Sequence, residues 1–273
     1  MIKLFDTPAQ FFNYNESIFE MRLEHFYLIK VYENFSKEYK VFSAFNIIDG
    51  NYNIIGFNCH GNFHLYSSLW TKEMLSELSE LVKLKLFKNW HFVGSRELIL
   101  QLFAFNPEID YKVFKDRIIY ELNQSPAIEL EVPGYAIQSQ IQHLKILGQL
   151  NYDYSLEEWG IRENRDISYS IRQAQGAIQT NAMFHWEHSN KICSMLQIID
   201  LDGDLPIIGS LYTVPTERNH GYAKALLDSI LTELFSAGYE KIGIISDATN
   251  KTTNKMFVDL GFEVVAPYID III

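Results

Sequence analysis

The chain has 273 residues, a formal net charge of −11, and 48% hydrophobic and 14% aromatic residues. Such apolar content supports real cores and excludes a disordered chain, and the length is ample for two domains. With no basic tract to offset it, the acidic balance argues against nucleic acid as a partner. An acidic surface would suit a cationic acceptor such as an amine, although many enzymes are acidic for solubility alone.

No apolar run is long enough to span a bilayer, and Met1-Ile-Lys-Leu-Phe-Asp does not read as a signal peptide. The expectation is a cytoplasmic chain without membrane attachment. Cys59 and Cys193 lie far apart, each beside strand-like residues, and read as buried free thiols in a reducing compartment.

In chain order, Phe11 to Phe35 has helical periodicity, broken near Asn15, with Phe19, Leu23, Phe26 and Ile29 on one side. Val41 to Ile48, Asn53 to Cys59 and Asn62 to Ser67 read as strands, the first two joined by an Asp49-Gly50-Asn51 hairpin turn. Thr71 to Phe87 reads as an amphipathic helix with Thr71 as N-cap and Met74, Leu75, Leu78, Leu81, Val82 and Leu86 as its buried stripe. Trp90 to Val93 is a short strand, Gly94-Ser95 a turn, Arg96 to Phe105 a helix and Lys112 to Leu122 a strand.

Two clusters contain possible metal-ligand types: Cys59-His60 with His64, and His185 with His188. The first lacks a second cluster to complete four ligands, and strand alternation sends His185 and His188 to opposite faces. Both read as packing or surface histidines, and no metal is expected.

Asn123-Gln-Ser-Pro126 breaks the pattern and marks a boundary between residues 1–125 and 126–273. Beyond it, Ala127 to Val132 reads as a strand and Ile137 to Leu150 as a helix. Ser155-Leu-Glu-Glu158 reads as a capping box, and Asn164 to Ala177 as a helix with Ile167, Ile171 and Ala174 inward. Strands follow at Asn181 to His188, Lys191 to Ile199 and Leu205 to Thr213, with turns at Asn190 and Asp202-Gly203-Asp204. A helix carries Ala223, Leu226, Leu227, Ile230, Leu231 and Leu234 on one face and ends at Gly238, before a strand from Lys241 to Ser246. The tail, Phe262 to Ile273, gives two short closing strands interrupted by Ala266-Pro267.

The segment Leu211 to Asp247 organises the rest. A strand ending at Pro215, a short loop with Arg218 and Gly221, and a long helix aim the free N–H groups of the helix's first turn out of the loop. Gly221 permits an unusual backbone angle and close approach of a phosphate, and Arg218 adds a fixed positive charge. A P-loop would need Lys-Ser or Lys-Thr after its second glycine, and a dinucleotide fingerprint would need three glycines. Neither pattern is present.

Arg218-x-x-Gly221-x-Ala223 resembles motif A of the GCN5-related N-acetyltransferases (GNAT), and Leu211-Tyr212-Thr213 is similar to the strand that pairs with the pantetheine arm in that family. Asp247 to Phe262, with Asn250, Asn254, Phe257 and Gly261, resembles motif B in the expected order. The helix, hairpin, helix, strand order of the N-terminal half is similar to that of the C-terminal half. The chain therefore resembles two-domain bacterial GNAT proteins with a degenerate N-terminal half. The resemblance implies an α+β fold of two GNAT-like domains, each a mixed, mostly antiparallel sheet flanked by helices.

It further implies an acetyl-CoA-dependent N-acetyltransferase acting on a small-molecule or peptide amine. The cofactor residues it implies are Leu211, Tyr212, Thr213, Arg218, Asn219, His220, Gly221, Tyr222, Ala223, Asn250 and Phe257. Tyr152, Tyr154, Trp159 and Tyr169 become candidate acceptor-pocket walls, though core aromatics would read the same. Phe257 stands where relatives often carry a Tyr that protonates the leaving thiolate. Asp247 is the candidate general base, or else a helix cap. The alternative is a CoA-binding sensor or structural relative without transferase activity.

Overall fold

The computed structural model describes residues 1–19, 23–24, 43–59, 61–126, 130–160, 166–199 and 205–273. By internal contacts the chain divides into two units. The first holds Met1–Ile119, Ser246–Lys251 and Val264–Ile273, and the second Tyr120–Ile245 and Thr252–Glu263.

In the first unit, β1 (Ile2–Phe5), α1 (Pro8–Tyr14), α2 (Glu16–Phe19), β2 (Ser43–Asp49), β3 (Tyr52–Cys59) and β4 (Asn62–Tyr66) precede α3 (Lys72–Val82), β5 (His91–Ser95) and α4 (Arg96–Phe105). Strand β6 (Lys112–Leu122) runs on into the second unit. The sheet order is β1-β2-β3-β4-β5, with β12 (Glu263–Ile272) beside β5; β4 and β5 are parallel and the other pairs antiparallel. Helices α3 and α4 cover one face, where Leu78, Phe92, Leu98, Ile99 and Leu102 are fully buried and Phe63 stacks on Phe92 at 5.3 Å. On the other side Phe11 of α1 stacks on Phe57 at 5.8 Å.

The expected break at Asn15 is present. Asn15 caps α1 and exchanges side-chain hydrogen bonds with Asn46 at 3.1 and 2.7 Å. Of the remainder of that expected helix, Leu23 is buried and lies in a turn, while Phe19's side chain, Phe26 and Ile29 lie outside the described residues, as do Val41 and His60. Thr71 caps α3 by accepting a bond from the Met74 N–H. The helix stops short of Phe87 because Lys83 turns left-handed (φ 50), and a single turn of 3-10 helix follows at Leu84–Leu86. That reorientation buries Leu84 and leaves Leu86, expected in the stripe, 74% exposed.

In the second unit the order is β7 (Tyr135–Gln138), α5 (Leu144–Trp159), α6 (Ile167–Gln179), β8 (Met183–His188), β9 (Lys191–Ile198), β10 (Ile207–Thr213), α7 (Tyr222–Ser236), β11 (Ile242–Asp247) and α8 (Lys251–Asp259). Strands β7 to β10 pair antiparallel in sequence order, and β10 pairs parallel with β11. Each unit is thus a mixed, mostly antiparallel sheet flanked by helices.

Three local expectations are corrected in this unit. Of the strand expected at Ala127 to Val132, residues 127–129 lie outside the described residues and Leu130 to Val132 are not in a strand. A strand forms instead at Tyr135–Gln138, overlapping the first two residues of the helix expected from Ile137, because it pairs with β8 along the sheet edge. Gly134 (φ 116) leads into it, so close to β8 that a Cβ there would lie 2.4 Å from the Glu187 carbonyl oxygen. Helix α5 runs straight through Ser155, so no capping box opens there, and Gly160 (φ 73) ends it.

Helix α6 turns Ser170, Ala174, Ala177 and Ile178 inward, leaving Ile167 exposed. It packs tightly on α5, where a Cβ on Gly148 would meet Ile171 at 2.7 Å. The turn at 202–204 lies outside the described residues. The tail is one strand, β12, not two; its pairing with β5, Tyr268 to Ile272, begins just after Pro267, which has no N–H to donate. Both cysteines are free and buried. Among the described residues no helix is long and apolar enough to cross a membrane, and no cluster of three or more His, Cys, Asp or Glu is placed to hold a metal.

Candidate functional site

The site is built from β10, the loop after it and the head of α7. Parallel pairing between β10 and β11 is confined to Ile207↔Gly243 and Ile208↔Ile244. On the other edge, the register with β9 shifts between Gly209 and Tyr212, with Ser210 at φ 49. A bulge of this kind bends a strand and re-aims its backbone groups. From Tyr212 the ladder with β9 resumes, through Tyr212↔Met195 and Thr213↔Ser194. Leu211 to Thr213 therefore lie on a strand segment past the end of the β11 pairing.

The chain then takes a single 3-10 turn at Pro215–Glu217 and two left-handed residues, Asn219 (φ 67) and Gly221 (φ 82). Gly221 is the N-cap of α7 and supplies no side-chain cap. Among the described residues, the backbone N–H groups from Asn219 to Lys224 meet no acceptor. This is a set of donors at the positive end of a 15-residue helix. The expected apolar face of α7 is buried at Leu226, Leu227, Ile230, Leu231 and Leu234, joined by Tyr222 and Ala225, with Ala223 only partly buried. Gly238 (φ 97) follows the helix end, as its stop signal predicts.

Side chains around the loop are already engaged. Arg218 does not point free into the donor set. Its Nε donates to the Thr213 carbonyl at 3.1 Å, and its Nη2 donates to both carboxylate oxygens of Glu157 on α5, at 2.8 and 2.9 Å. Its guanidinium carbon lies 5.4 Å from the Tyr212 ring centroid. The Tyr212 hydroxyl donates to Glu157 Oε1 at 3.2 Å. Burial, then the Glu157 charge, push the Tyr212 phenol above its usual pKa. Tyr222 is sandwiched between His188 and His220, with ring centroids 5.8 and 5.5 Å away.

Glu157 carries no signal in the sequence. It meets Arg218 across 61 positions, through the packing of α5 near β10. Of the candidate wall aromatics, Tyr154 packs on the cluster of Leu147, Met195 and Tyr212, with its ring edge-on to Tyr212 at 6.5 Å. Tyr152 and Trp159 are half-buried, and Tyr169 is exposed.

The motif B residues divide. Asp247 and Asn250 belong to the first unit, and Phe257 to the second. The Asp247 carboxylate accepts from the N–H and hydroxyl of Thr249, closing the turn before α8, with Lys115 at 3.7 Å. Burial works to raise its pKa, but the Thr249 bonds and the Lys115 and Arg117 charges outweigh it and hold the carboxyl below its ordinary value. Phe257 is 3% exposed and packs between Tyr120 and Phe262, with ring centroids 5.7 and 5.8 Å away.

Residues 145–262, which contain this strand, loop and helix, match the model of the acetyltransferase (GNAT) family. Over those residues the chain is similar to a GNAT domain. Similar solved structures share its fold over nearly the whole chain. A GNAT-family acetyltransferase from Colwellia psychrerythraea is 15% identical, covers 99% of this chain and 98% of its own, and has a TM-score of 0.58. A GCN5-related N-acetyltransferase from Sphaerobacter thermophilus is 14% identical, covers 89% and 84%, and has a TM-score of 0.59. Among curated proteins none matches the sequence. Within the matched residues, the uncapped helix head and the bulged strand occupy the segment that resembles motif A in the sequence.

Proposed function

We propose that the GNAT-like domain is an N-acetyltransferase that moves the acetyl group of acetyl-CoA to an amine of a small molecule or peptide. The observation that carries this reading is the head of α7: six consecutive N–H groups around a left-handed Gly221 that are unpartnered among the described residues, next to a strand bulged against β9 and unpaired with β11 beyond Ile208. Acetyl-CoA supplies an activated thioester, whose C–S bond breaks as the C–N bond to the amine forms.

The residues fit such a carrier at two points. Backbone donors from Asn219 to Ala223 suit a diphosphate, and Gly221 leaves room for it, since a Cβ there would lie 3.2 Å from Val132. Backbone groups of Leu211, Tyr212 and Thr213 would run along the pantetheine arm, and the bulge would aim an N–H at the thioester oxygen. The Nη2 of Arg218 becomes available to the diphosphate only by leaving Glu157.

An alkyl ammonium of pKa about 10.4 is roughly one part in two thousand neutral at pH 7, so the acceptor must lose a proton at the site. Asp247 is poorly placed for that task, because its carboxylate is committed to the Thr249 turn. Phe257, buried between Tyr120 and Phe262, has no hydroxyl and donates no proton. The departing thiol, with pKa about 8.5, leaves tolerably as thiolate without one.

The test is calorimetric titration of the protein with CoA, followed by a thiol-release assay with acetyl-CoA and a panel of amines. The expected result is one CoA per chain and thiol release that depends on the amine. Binding without amine-dependent release would reduce the protein to a CoA-binding relative, and absence of binding would remove the assignment.

A further inference from the structure

The Arg218–Glu157 pair bears on how the cradle would load, and this inference rests on the acetyl-CoA reading above. We propose that Glu157 is a partner-exchanging residue of the transfer site: its carboxylate holds Arg218 where a phosphate oxygen would, and yields it when a diphosphate binds at the head of α7. Arg218 and the free donors from Asn219 to Lys224 belong to one loop, so an anion resting on those N–H groups comes within reach of the guanidinium. Nη1 has no partner among the described residues, which gives the incoming oxygen a first contact before Nη2 leaves Glu157. The Nε bond to the Thr213 carbonyl anchors the side chain while its head changes partner.

The exchange is easy for a physical reason. The two side chains are 41% and 52% exposed, so water screens the pair and neither charge is stranded when it parts. Glu157 also keeps the hydrogen bond from the Tyr212 hydroxyl after losing Arg218. A diphosphate offers Arg218 more negative charge than one carboxylate and gains the helix donors too. Loading the cradle would thus turn a neutralised carboxylate on α5 into a free anion beside the Tyr212 phenol, on the side of the strand where α5 packs. The competing charge is a property of this chain that the motif alone does not contain.

A double-mutant cycle on the full chain, read by calorimetric CoA titration, tests the exchange. Glu157→Gln should tighten CoA binding about threefold to fivefold, the range for losing a screened competitor of this kind. Arg218→Gln should weaken binding, and adding Glu157→Gln to it should then change nothing. Should Glu157→Gln fold poorly, Glu157→Asp, too short to grip Nη2 with both oxygens, should tighten binding by a smaller factor in the same direction. Unchanged or weaker CoA binding in Glu157→Gln overturns the proposal, as does a gain that persists in the Arg218→Gln background. If none of the four proteins binds CoA, the acetyl-CoA reading falls and takes this inference with it. CoA binding that ignores Glu157 removes this inference alone.

Discussion

The two halves of the chain build the same strand–helix–strand device and finish it in opposite ways. In the first unit β4, α3 and β5 form a parallel crossover, as β10, α7 and β11 do in the second. In the first the strands stay paired over four positions, from Asn62↔His91 to Leu65↔Gly94, and β4 meets β3 in an unbroken register. The helix head is closed by Thr71. In the second the parallel pairing stops after two positions, β10 is bulged against β9, and the helix head has no side-chain cap. One crossover satisfies its own backbone, and the other leaves donors for a ligand. The glycines show the contrast best: Gly94 lets β5 press against β4, and Gly221 keeps the loop open.

The largest effect expected from disturbing this contrast is on Gly94. A Cβ there would sit 1.9 Å from the Leu65 carbonyl oxygen, at a φ of 140 that non-glycine residues avoid. Gly94→Ala should cost about 3 kcal/mol of stability, lowering the melting temperature by roughly 6–12 °C, while the folded fraction still binds one CoA. A melting curve unchanged from wild type would show that the close strand contact is not needed.

Gly221→Val should do the reverse. The φ of 82 and the 3.2 Å approach to Val132 predict a CoA affinity lower by about 30-fold to 100-fold, from roughly 2–3 kcal/mol of strain and lost approach. Its melting temperature should shift less than that of Gly94→Ala. Equal affinity in Gly221→Val and wild type would remove the loop from the carrier site.

Each unit also buries one imidazole. His64 has no partner for either ring nitrogen among the described residues, and burial lowers its pKa to about 3. His185 meets the Ser139 hydroxyl at 2.8 Å, and burial, followed by the nearby His143, lowers its pKa to about 4. Both are neutral when folded, whereas the unfolded chain takes up protons below about pH 6.5. Their contribution is therefore intact above pH 6.5 and lost as pH falls toward 4 and then 3, by up to about 1.4 kcal/mol per pH unit for each. Denaturant titrations between pH 7 and 4 should show this slope, flattened in part by His64→Phe or His185→Phe. A slope that neither substitution changes would place the acid sensitivity elsewhere.

The smallest effect should come from Thr71→Ala, which opens the head of α3. It should cost about 1 kcal/mol of stability and create no second CoA site, because β4 and β5 remain paired beside it. Two CoA molecules bound per chain would show that the cap alone had closed the first unit.

Much of this architecture was legible from local pattern. The Thr71 cap, the Asp49-Gly50-Asn51 turn, the bounds of α4 and β6 and the motif A loop each depend on residues within a few positions of one another, where backbone preference and periodicity act directly. The edge strand at Tyr135–Gln138 runs into the helix expected from Ile137, because its reason for being extended is β8, some fifty residues away. Ser155 was read as a helix start because a capping box looks the same inside a helix whose amides are already satisfied.

Local chemistry alone sets a glycine-hinged loop leading into a long amphipathic helix with its first amides aimed outward. Those features follow from the stereochemistry of Gly221 and the spacing of Leu226 to Leu234. Only the tertiary structure decided how far β10 and β11 run together, where the bulge falls, and that Glu157 reaches across from α5 to hold Arg218. Strand divergence and a charge pair 61 residues apart are set by how layers pack, and no short stretch of chain encodes them.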